Sequence, residues 1–400
     1  MDDTKPLLFT VGAHQQQPLW KPLSDYYTLA FLNTQAAALA NEMGLEAIAV
    51  EHHVDADMLN HAQNQAIWVT SIVTEQLKEG ALVLDANIPE LSHPGLGHWM
   101  PTFLHELIVG AIIRAYSAAK LLEKRPSAGV LVHEDVTVEG KGLALFGMSE
   151  GLPTLHIPHA NHFLSCDGDI HSKVTAEFIG ARGTYMRDWY LSKGVPEDKI
   201  TLVGAPQWDW LYETEEMPTR EHARRAFGFD KDELVLCYGT TWFQNTAVWG
   251  RGQEDLDEAW LYMLKAAQEL KAKLFVKMHP GEVGGREKFY LESMKKHGVS
   301  GVIDRKHNEY AMIVSDCLVT QGSSNLAIEA AILGKPSVEL WQCGTRYPGW
   351  IDGTWGEDLV AKIKAAMEAG PNDDFARVMN YDHDGKAVNR CVEWIRSLCQ

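Results

Sequence analysis

Short apolar runs alternate with longer stretches of helical periodicity over the first half of the chain. The stretches predicted as helices cover residues 25–43, 58–78 and 102–124. The runs predicted as strands are Leu7–His14, Leu45–Glu51, Ala81–Asn87, Gly129–Asp135, Thr154–Ala160, Ala176–Ala181 and Lys199–Pro206. Strands that alternate with helices favour parallel pairing through right-handed crossovers, so the pattern predicts a parallel α/β sheet.

The alternation stops at Trp208–Arg220, which has no clear periodicity, and then starts again. The later helices are predicted at 255–271, 286–297 and 324–333, with a helical tail from about Thr354. The later strands are predicted at Glu233–Trp242, Ala272–Pro280, Gly301–Arg305, Asp316–Gln321 and Pro336–Leu340. We therefore predict α/β architecture with two facing Rossmann-like domains: an N-terminal acceptor domain (1–207), a linker (208–220), a C-terminal nucleotide-donor domain (221–375) and a helical tail (376–400).

Composition narrows the possible partners. The chain has 400 residues, of which 46% are hydrophobic, and this is enough to fill two cores. Its net charge of −18 disfavours a nucleic-acid partner. The six cysteines form no CxxC pair, which favours reduced thiols. The first residues, MDDTKPLLFT, lack signal-peptide features, and no apolar run approaches the length of a membrane span, so we expect a cytoplasmic protein without a transmembrane segment.

The stretch SDCLVTQGSSNLAIEAAILGKPSVEL (315–340) predicts a phosphate site at the start of a helix. Gly322 provides a tight turn after an apolar strand. Ser323, Ser324 and Asn325 then open a helix, whose free backbone N–H groups and dipole favour a phosphate. Glu329 lies more than one turn along, where a carboxylate accepts hydrogen bonds from a ribose diol. The alternative is an ordinary capped helix between two strands.

The stretch LFVKMHPGE (274–282) contains two further polar residues at the end of a predicted strand. Lys277 and His279 alternate in phase and share one face, and ligands of open parallel sheets bind at the carboxyl ends of strands. A cation and an imidazole there neutralise a phosphate. The alternative is a histidine in a solvated turn at the strand end.

Together, VKMHP and QGSSNLAIEAAILGKP resemble the C-terminal domain of GT-B glycosyltransferases, in particular the group of CDP-glycerol glycerophosphotransferases, capsule-polysaccharide transferases and polysialyltransferases. VLCYGTTW resembles that group's first C-domain strand, and residues 178–211 resemble its strand–helix–strand before the linker. The resemblance implies a GT-B fold with an interdomain cleft and a nucleotide-activated donor, without a cofactor or metal ion. It assigns donor binding to Lys277, His279, Gly322, Ser323, Ser324, Asn325, Glu329 and Thr240. Gln321 departs from the aspartate that is common in the group.

Transfer to an acceptor hydroxyl requires a base, and histidine suits this role near neutral pH. His14 and His159 each follow an apolar strand, and His159 resembles a histidine of the glycerophosphotransferase and capsule group, although Ala160 replaces the usual glycine. Glu134 and Asp135 end a neighbouring strand and are further candidates.

The predicted function is therefore transfer of a sugar or polyol phosphate from a nucleotide sugar or related donor, to a carbohydrate or polyol acceptor rather than to nucleic acid. A first alternative is an isomerase similar to UDP-N-acetylglucosamine 2-epimerase, which needs acidic residues such as Asp85, Glu90 and Glu134. A second is a GT-B transferase that acts on modified DNA bases, and a third is a binding protein without chemistry. The EHHVDAD stretch does not predict a metal site, because adjacent histidines on a strand point to opposite faces. The HANH stretch does not predict one either, because it lacks a matching third ligand.

Overall fold

A computed structural model of the chain describes residues 5–50, 54–78, 96–134, 137–160, 173–213, 215, 217–241, 253–282, 285–321, 324–340 and 352–400. The chain forms two compact units. Unit 1 comprises Met1–Pro158, Val174–Gly180 and Val392–Gln400, and unit 2 comprises His159–Lys173 and Ala181–Cys391.

Thirteen strands are present among the described residues. They are β1 (Leu7–Thr10), β2 (Thr28–Phe31), β3 (Ala47–Ala49), β4 (Ser127–Val132), β5 (Thr154–His156), β6 (Phe178–Ala181), β7 (Ile200–Leu202), β8 (Val235–Gly239), β9 (Lys273–Lys277), β10 (Gly301–Asp304), β11 (Cys317–Gln321), β12 (Ser337–Leu340) and β13 (Asp352–Thr354).

Fourteen α-helices connect them within the same described ranges. They are α1 (Gln17–Ser24), α2 (Thr34–Glu42), α3 (Ala56–Lys78), α4 (Leu96–Leu122), α5 (Val138–Ser149), α6 (Thr184–Ser192), α7 (Arg220–Ala226), α8 (Gln253–Leu270), α9 (Arg286–Lys296), α10 (Asn308–Val314), α11 (Asn325–Ile332), α12 (Leu359–Ala369), α13 (Asp373–Met379) and α14 (Ala387–Leu398).

The strands form two parallel sheets, so the predicted α/β architecture with Rossmann-like halves is confirmed. The first sheet has the order β3-β2-β1-β4-β5-β6-β7 and the second has the order β10-β9-β8-β11-β12-β13. Both orders reverse direction beside their first strand, β1 or β8. Ligands of doubly wound sheets bind at the carboxyl ends of the strands at such a reversal.

The central strands are buried along their full length. β1, β8 and β11 have no exposed residue, and their side chains are mostly aliphatic or aromatic. This pattern is typical of parallel strands that helices cover on both faces. In unit 2, Trp260 on α8 and Tyr238 on β8 pack against each other at 5.4 Å between ring centroids. Both lie in one core cluster of that unit, among the described residues.

The helix predicted at 25–43 is wrong. The structure has the strand β2 (Thr28–Phe31) and the helix α2 (Thr34–Glu42) in its place. Asn33 separates the two, because its side chain accepts hydrogen bonds from the backbone N–H groups of Gln35 and Ala36. An N-cap of this kind starts a helix, and the fully buried TLAF segment before it pairs with β1.

The helical tail predicted from Thr354 begins later than expected. Residues 352–354 form the edge strand β13, which pairs with β12, and the helix α12 begins only at Leu359. Of the other predictions, the strand at 81–87 and the site residues Asp135, Gly322 and Ser323 lie outside the described residues.

The helix α14 ends within unit 1. Residues 392–400 belong to that unit, and Tyr27 donates a hydrogen bond from its hydroxyl to the backbone oxygen of Cys399 at 2.9 Å. A Cβ atom on Gly129 of β4 would lie 2.5 Å from the Cys399 sulfur. Glycine at 129 therefore makes room for the close approach of this segment to the first sheet.

Candidate functional site

Polar residues of unit 2 gather where the strand order of the second sheet reverses. Thr240 directly follows β8, Lys277 ends β9, and Ser324 and Asn325 follow β11. β8 is the neighbour of both β9 and β11. The topology therefore brings the three sequence segments predicted to bind the donor to one end of one sheet.

Thr240 and the strand end of β9 are joined by direct hydrogen bonds. The backbone N–H of Thr240 donates to the carbonyl of Lys277 at 3.0 Å. The Thr240 hydroxyl accepts from the backbone N–H of His279 at 2.9 Å and donates to the carboxylate of Glu282. The hydroxyl thus holds the turn that carries His279, and a direct donor contact at Thr240 stays a prediction.

Glu282 connects the residues of this turn, and no pattern in the sequence singled it out. Its side chain is buried and also accepts a hydrogen bond from the Tyr290 hydroxyl at 2.7 Å and one from the backbone N–H of His279 at 3.3 Å. Arg305 donates to the Glu282 carbonyl at 2.7 Å. A buried carboxylate with this many donors fixes the backbone of the turn that contains His279.

The ring of His279 has a defined orientation. The backbone N–H of Gly281 donates to its Nδ1 atom at 3.0 Å, so the neutral ring carries its proton on Nε2. Burial and the charge of Lys277 lower the pKa of His279. The imidazole is therefore neutral at pH 7 and offers a hydrogen-bond donor rather than a full positive charge.

Lys277 supplies the charge at this site. Its side chain is buried, and its ammonium donates to the carbonyl of Arg305 at 2.8 Å. Burial lowers the pKa of Lys277, while nearby carboxylates, including that of Glu329, act in the opposite direction. A cation of this kind, with part of its hydration removed, interacts strongly with an anion that reaches it.

The helix α11 begins as predicted from its sequence. Ser324 is the N-cap, with its hydroxyl accepting from the backbone N–H of Leu326 at 3.2 Å. Asn325 is the first helical residue, and its side-chain amide donates to the carbonyl of His159 at 3.4 Å. The structure therefore brings two predicted site residues, Asn325 and His159, together within unit 2.

Glu329 is buried on the second turn of α11. One carboxylate oxygen accepts from the indole N–H of Trp208 at 3.3 Å, and the other accepts from the amide of Asn308 at 3.2 Å. Burial raises the pKa of this carboxyl to about 7. Each oxygen keeps a second lone pair, and the predicted ribose contact stays a prediction.

Arg182 lies beside this group and was not identified from the sequence. Its guanidinium stacks on the Trp208 ring at 4.1 Å from the centroid and donates to the side-chain oxygen of Asn325 at 3.4 Å. Arg182 follows directly after β6, within the segment whose resemblance the sequence indicated. No local pattern distinguishes it from an exposed arginine.

The remaining base candidates belong to unit 1. His14 lies exposed in a 3₁₀ turn after β1. Buried Gln16 ties this turn to β4 by donating to the carbonyl of Val132 at 3.2 Å. Glu134 follows β4, and its carbonyl accepts from the Thr137 hydroxyl at 3.2 Å. These two candidates therefore follow neighbouring strands of the first sheet.

His133 directly follows β4 and adds a second imidazole to this end of the first sheet. Burial, together with His156 and His14, lowers its pKa to about 4. The strand run GVLVHED contains this residue, but only Glu134 and Asp135 were identified from it; the place of His133 near the strand end is the signal that could have found it. His133 is neutral at pH 7 and therefore acts as a hydrogen-bonding neighbour without positive charge.

Comparison with known proteins supports the predicted class. Residues 176–340 match the family model described as CDP-Glycerol:Poly(glycerophosphate) glycerophosphotransferase. This stretch contains Arg182, Thr240, Lys277, His279 and the whole of α11. The predicted resemblance to this group is confirmed, and the match supports a transferase that uses a nucleotide-activated donor. No curated protein matches the chain.

Solved structures share the fold over nearly the whole chain. UDP-GlcNAc 2-epimerase from Neisseria meningitidis, bound to UDP-GlcNAc, superposes with a TM-score of 0.60 at 16% identity and covers 98% of this chain and 99% of its own. HepE from Anabaena in complex with UDP-glucose gives 0.52 at 11% identity, covering 98% and 97%. The wall teichoic acid polymerase TagF gives 0.50 at 12% identity, covering 99% and 90%. These similarities establish a GT-B-like fold.

None of the helices within the described residues is both long enough and apolar enough to cross a membrane.

Proposed function

We propose that the protein is a metal-independent transferase that moves a sugar or a polyol phosphate from a nucleotide-activated donor to an acceptor hydroxyl. One observation supports the proposal: Lys277, His279 and the N-terminus of α11 follow or end neighbouring strands at the same end of the second sheet, where its strand order reverses. This arrangement lies in the segment that matches a glycerophosphotransferase family.

In this proposal the diphosphate of the donor binds at the N-terminus of α11. Backbone N–H groups at residues 323–325 and the helix dipole favour its negative charge. The Lys277 ammonium adds a full positive charge, and the Nε2–H of His279 donates a hydrogen bond to a phosphate oxygen. Glu329 accepts from the ribose.

The two versions of the reaction differ in the bond that breaks. In sugar transfer, the acceptor oxygen attacks the anomeric carbon, the bond from that carbon to the phosphate oxygen breaks, and a nucleoside diphosphate leaves. In polyol-phosphate transfer, the acceptor oxygen attacks the distal phosphorus and a nucleoside monophosphate leaves. In both versions negative charge builds on the leaving phosphate, where Lys277 and His279 stabilise it.

A base removes the proton of the acceptor hydroxyl. His159 is the first candidate, because its carbonyl is held by the Asn325 amide at 3.4 Å and by the Gln207 amide at 3.3 Å. These bonds fix its backbone next to α11. His14 is the second candidate, followed by Glu134 and Asp135. The acceptor is a carbohydrate or polyol, since a net charge of −18 opposes a nucleic acid.

The test is a donor screen with the purified chain. CDP-glycerol, UDP-N-acetylglucosamine, UDP-glucose and other nucleotide sugars are incubated with simple polyol and oligosaccharide acceptors, and the released nucleotides are separated by chromatography. Release of CMP from CDP-glycerol identifies polyol-phosphate transfer, and release of a nucleoside diphosphate identifies sugar transfer. Turnover of UDP-N-acetylglucosamine without an acceptor and without nucleotide release supports the epimerase-like alternative and contradicts the proposal.

Two variants test the donor site. Glu329→Gln and His279→Ala should each weaken binding of CDP or UDP, measured by calorimetry, while the far-ultraviolet circular dichroism stays unchanged. His222→Ala is the matched control, because this histidine is exposed on the short helix α7. If both site variants bind the nucleotides as tightly as the control, the placement of the donor is wrong.

A further inference from the structure

The arginine that follows β6 is fully buried. Arg182 has 1% of its side-chain surface exposed and ranks among the largest buried side chains of the chain. A charged side chain loses much hydration free energy when it is buried, so a charged residue is rarely buried unless its contacts compensate for this loss. The contacts of Arg182 therefore indicate its role.

The contacts of Arg182 lead to the start of α11. One guanidinium nitrogen donates to the side-chain oxygen of Asn325, the first residue of that helix, at 3.4 Å. The backbone of Arg182 is itself fixed, because its carbonyl accepts from the N–H of Tyr381 at 2.8 Å. The charge is consequently held at one place relative to the helix N-terminus.

Trp208 extends the same contact to the next turn of α11. The indole ring lies under the guanidinium at 4.1 Å, and its N–H donates to Glu329 at 3.3 Å. Arg182 and Trp208 thus hold α11 at Asn325 and at Glu329. Two points of attachment one turn apart fix both the position and the rotation of a helix.

We propose that Arg182 is a positioning residue of the donor site, which fixes Asn325 at the N-terminus of α11 and adds positive potential where the donor diphosphate binds. The inference rests on the proposed function, because it assumes that this helix end holds the diphosphate. Arginine suits the task better than lysine, since the planar guanidinium stacks on the indole and donates to Asn325 at the same time.

The experiment measures binding of inorganic pyrophosphate and of CDP by calorimetry, well below the unfolding temperature. Arg182→Gln removes the charge and the stacked guanidinium. Arg182→Lys keeps the charge and removes the stacking geometry. Arg187→Gln is the matched control, because Arg187 is on the next helix, α6, with a partly exposed side chain that pairs with Asp188 at 2.7 Å. A purely structural role would lower the unfolding temperature without changing the dissociation constants.

We expect Arg182→Gln to weaken both ligands by about tenfold, as is typical for loss of one charge-assisted contact. Arg182→Lys should recover part of the loss for pyrophosphate, and Arg187→Gln should bind both ligands as the wild type does. Dissociation constants within twofold of the wild type in folded Arg182→Gln overturn the inference. If that variant does not fold, Arg182→Lys decides: a loss of threefold or more supports the inference, and unchanged binding overturns it.

The same titrations separate the two proposals. If the wild-type chain binds neither pyrophosphate nor CDP, UDP or GDP, the proposed donor site fails and the role of Arg182 fails with it. If the wild type binds, Lys277→Met weakens binding and Arg182→Gln does not, the donor site stands and only the positioning role is refuted.

Discussion

Replacing Glu329 with glutamine should change how the free energy of unfolding depends on pH. Burial raises the pKa of this carboxyl from 4.5 to about 7. Between these two values the folded chain keeps a proton that the unfolded chain has lost. Stability therefore falls as the pH rises through this window: the contribution of this group is fully present below pH 4.5 and is lost above about pH 7.

The expected size of this pH-dependent loss of stability follows from the difference between the two pKa values. A rise from 4.5 to about 7 corresponds to a loss of about 3 kcal/mol across it, at about 1.4 kcal/mol for each pKa unit. Glutamine removes this loss because it does not ionise. Its amide, however, turns an N–H group toward either Trp208 or Asn308, which both donate to the carboxylate. Leaving one of these donors unpaired costs about 1–3 kcal/mol.

The two effects oppose each other, so the difference in unfolding free energy between the variant and the wild type should change sign across this pH window. Glu329→Gln should be less stable than the wild type by about 1–2 kcal/mol at pH 5. At this pH the carboxyl is protonated and keeps its hydrogen bonds with Trp208 and Asn308. At pH 8 the variant should equal or exceed the wild type by about 1 kcal/mol, because the buried negative charge is gone.

The assay is urea unfolding at pH 5, 6, 7 and 8, followed by tryptophan fluorescence. Glu292→Gln is the control: its side chain is 68% exposed on α9, and the change should stay within about 0.5 kcal/mol at every pH. Parallel pH curves for Glu329→Gln and the wild type would refute the reasoning, since they would mean that Glu329 does not titrate differently in the folded state.

Four further predictions follow from the site and its supports. Loss of the true base, tested by His159→Ala and His14→Ala, should lower turnover by about 10²–10⁴-fold with nucleotide binding nearly unchanged; if neither variant loses more than a few-fold, the base lies elsewhere. Glu282→Gln should weaken CDP binding by about tenfold, because one donor among Thr240, His279 and Tyr290 loses its acceptor; calorimetry with unchanged affinity would contradict this. Gly140→Ala should lower the thermal unfolding midpoint by several degrees, since the new Cβ would lie 1.7 Å from the Glu134 carbonyl oxygen; an unchanged midpoint would argue against this close approach. Turnover should survive treatment with EDTA, and loss of activity that Mg²⁺ or Mn²⁺ restores would rule out metal independence.

Sequence reasoning predicted correctly those elements whose signal lies in a few neighbouring residues. The strand β9 and the capped start of α11 have clear signals: an apolar run that ends in Lys277, and a serine N-cap at Ser324. The strand β2 was missed because its TLAF residues lie within a longer stretch whose apolar positions also fit a helix. The Asn33 cap was the local sign of the break.

The residues that hold the site in place could not be predicted from local sequence patterns. Arg182 and Trp208 are far from Glu329 in sequence, and only the folded chain shows that they stack and bind the same helix. Glu282 was part of a motif that was noticed, but its role depends on Thr240 and Tyr290, which come from other elements. Contacts between elements have no periodicity, so single-sequence patterns do not predict them.

The return of α14 to unit 1 has a consequence for synthesis on the ribosome. Residues 392–400 belong to the same unit as residues before 159, yet the whole of unit 2 is translated between them. At about 5–20 residues per second, the nascent first unit waits roughly 10–50 seconds for the segment that packs beside Gly129 and Tyr27. Until then, the surface that later buries Ile395 and Cys399 is exposed to solvent and to any chaperone that binds apolar groups.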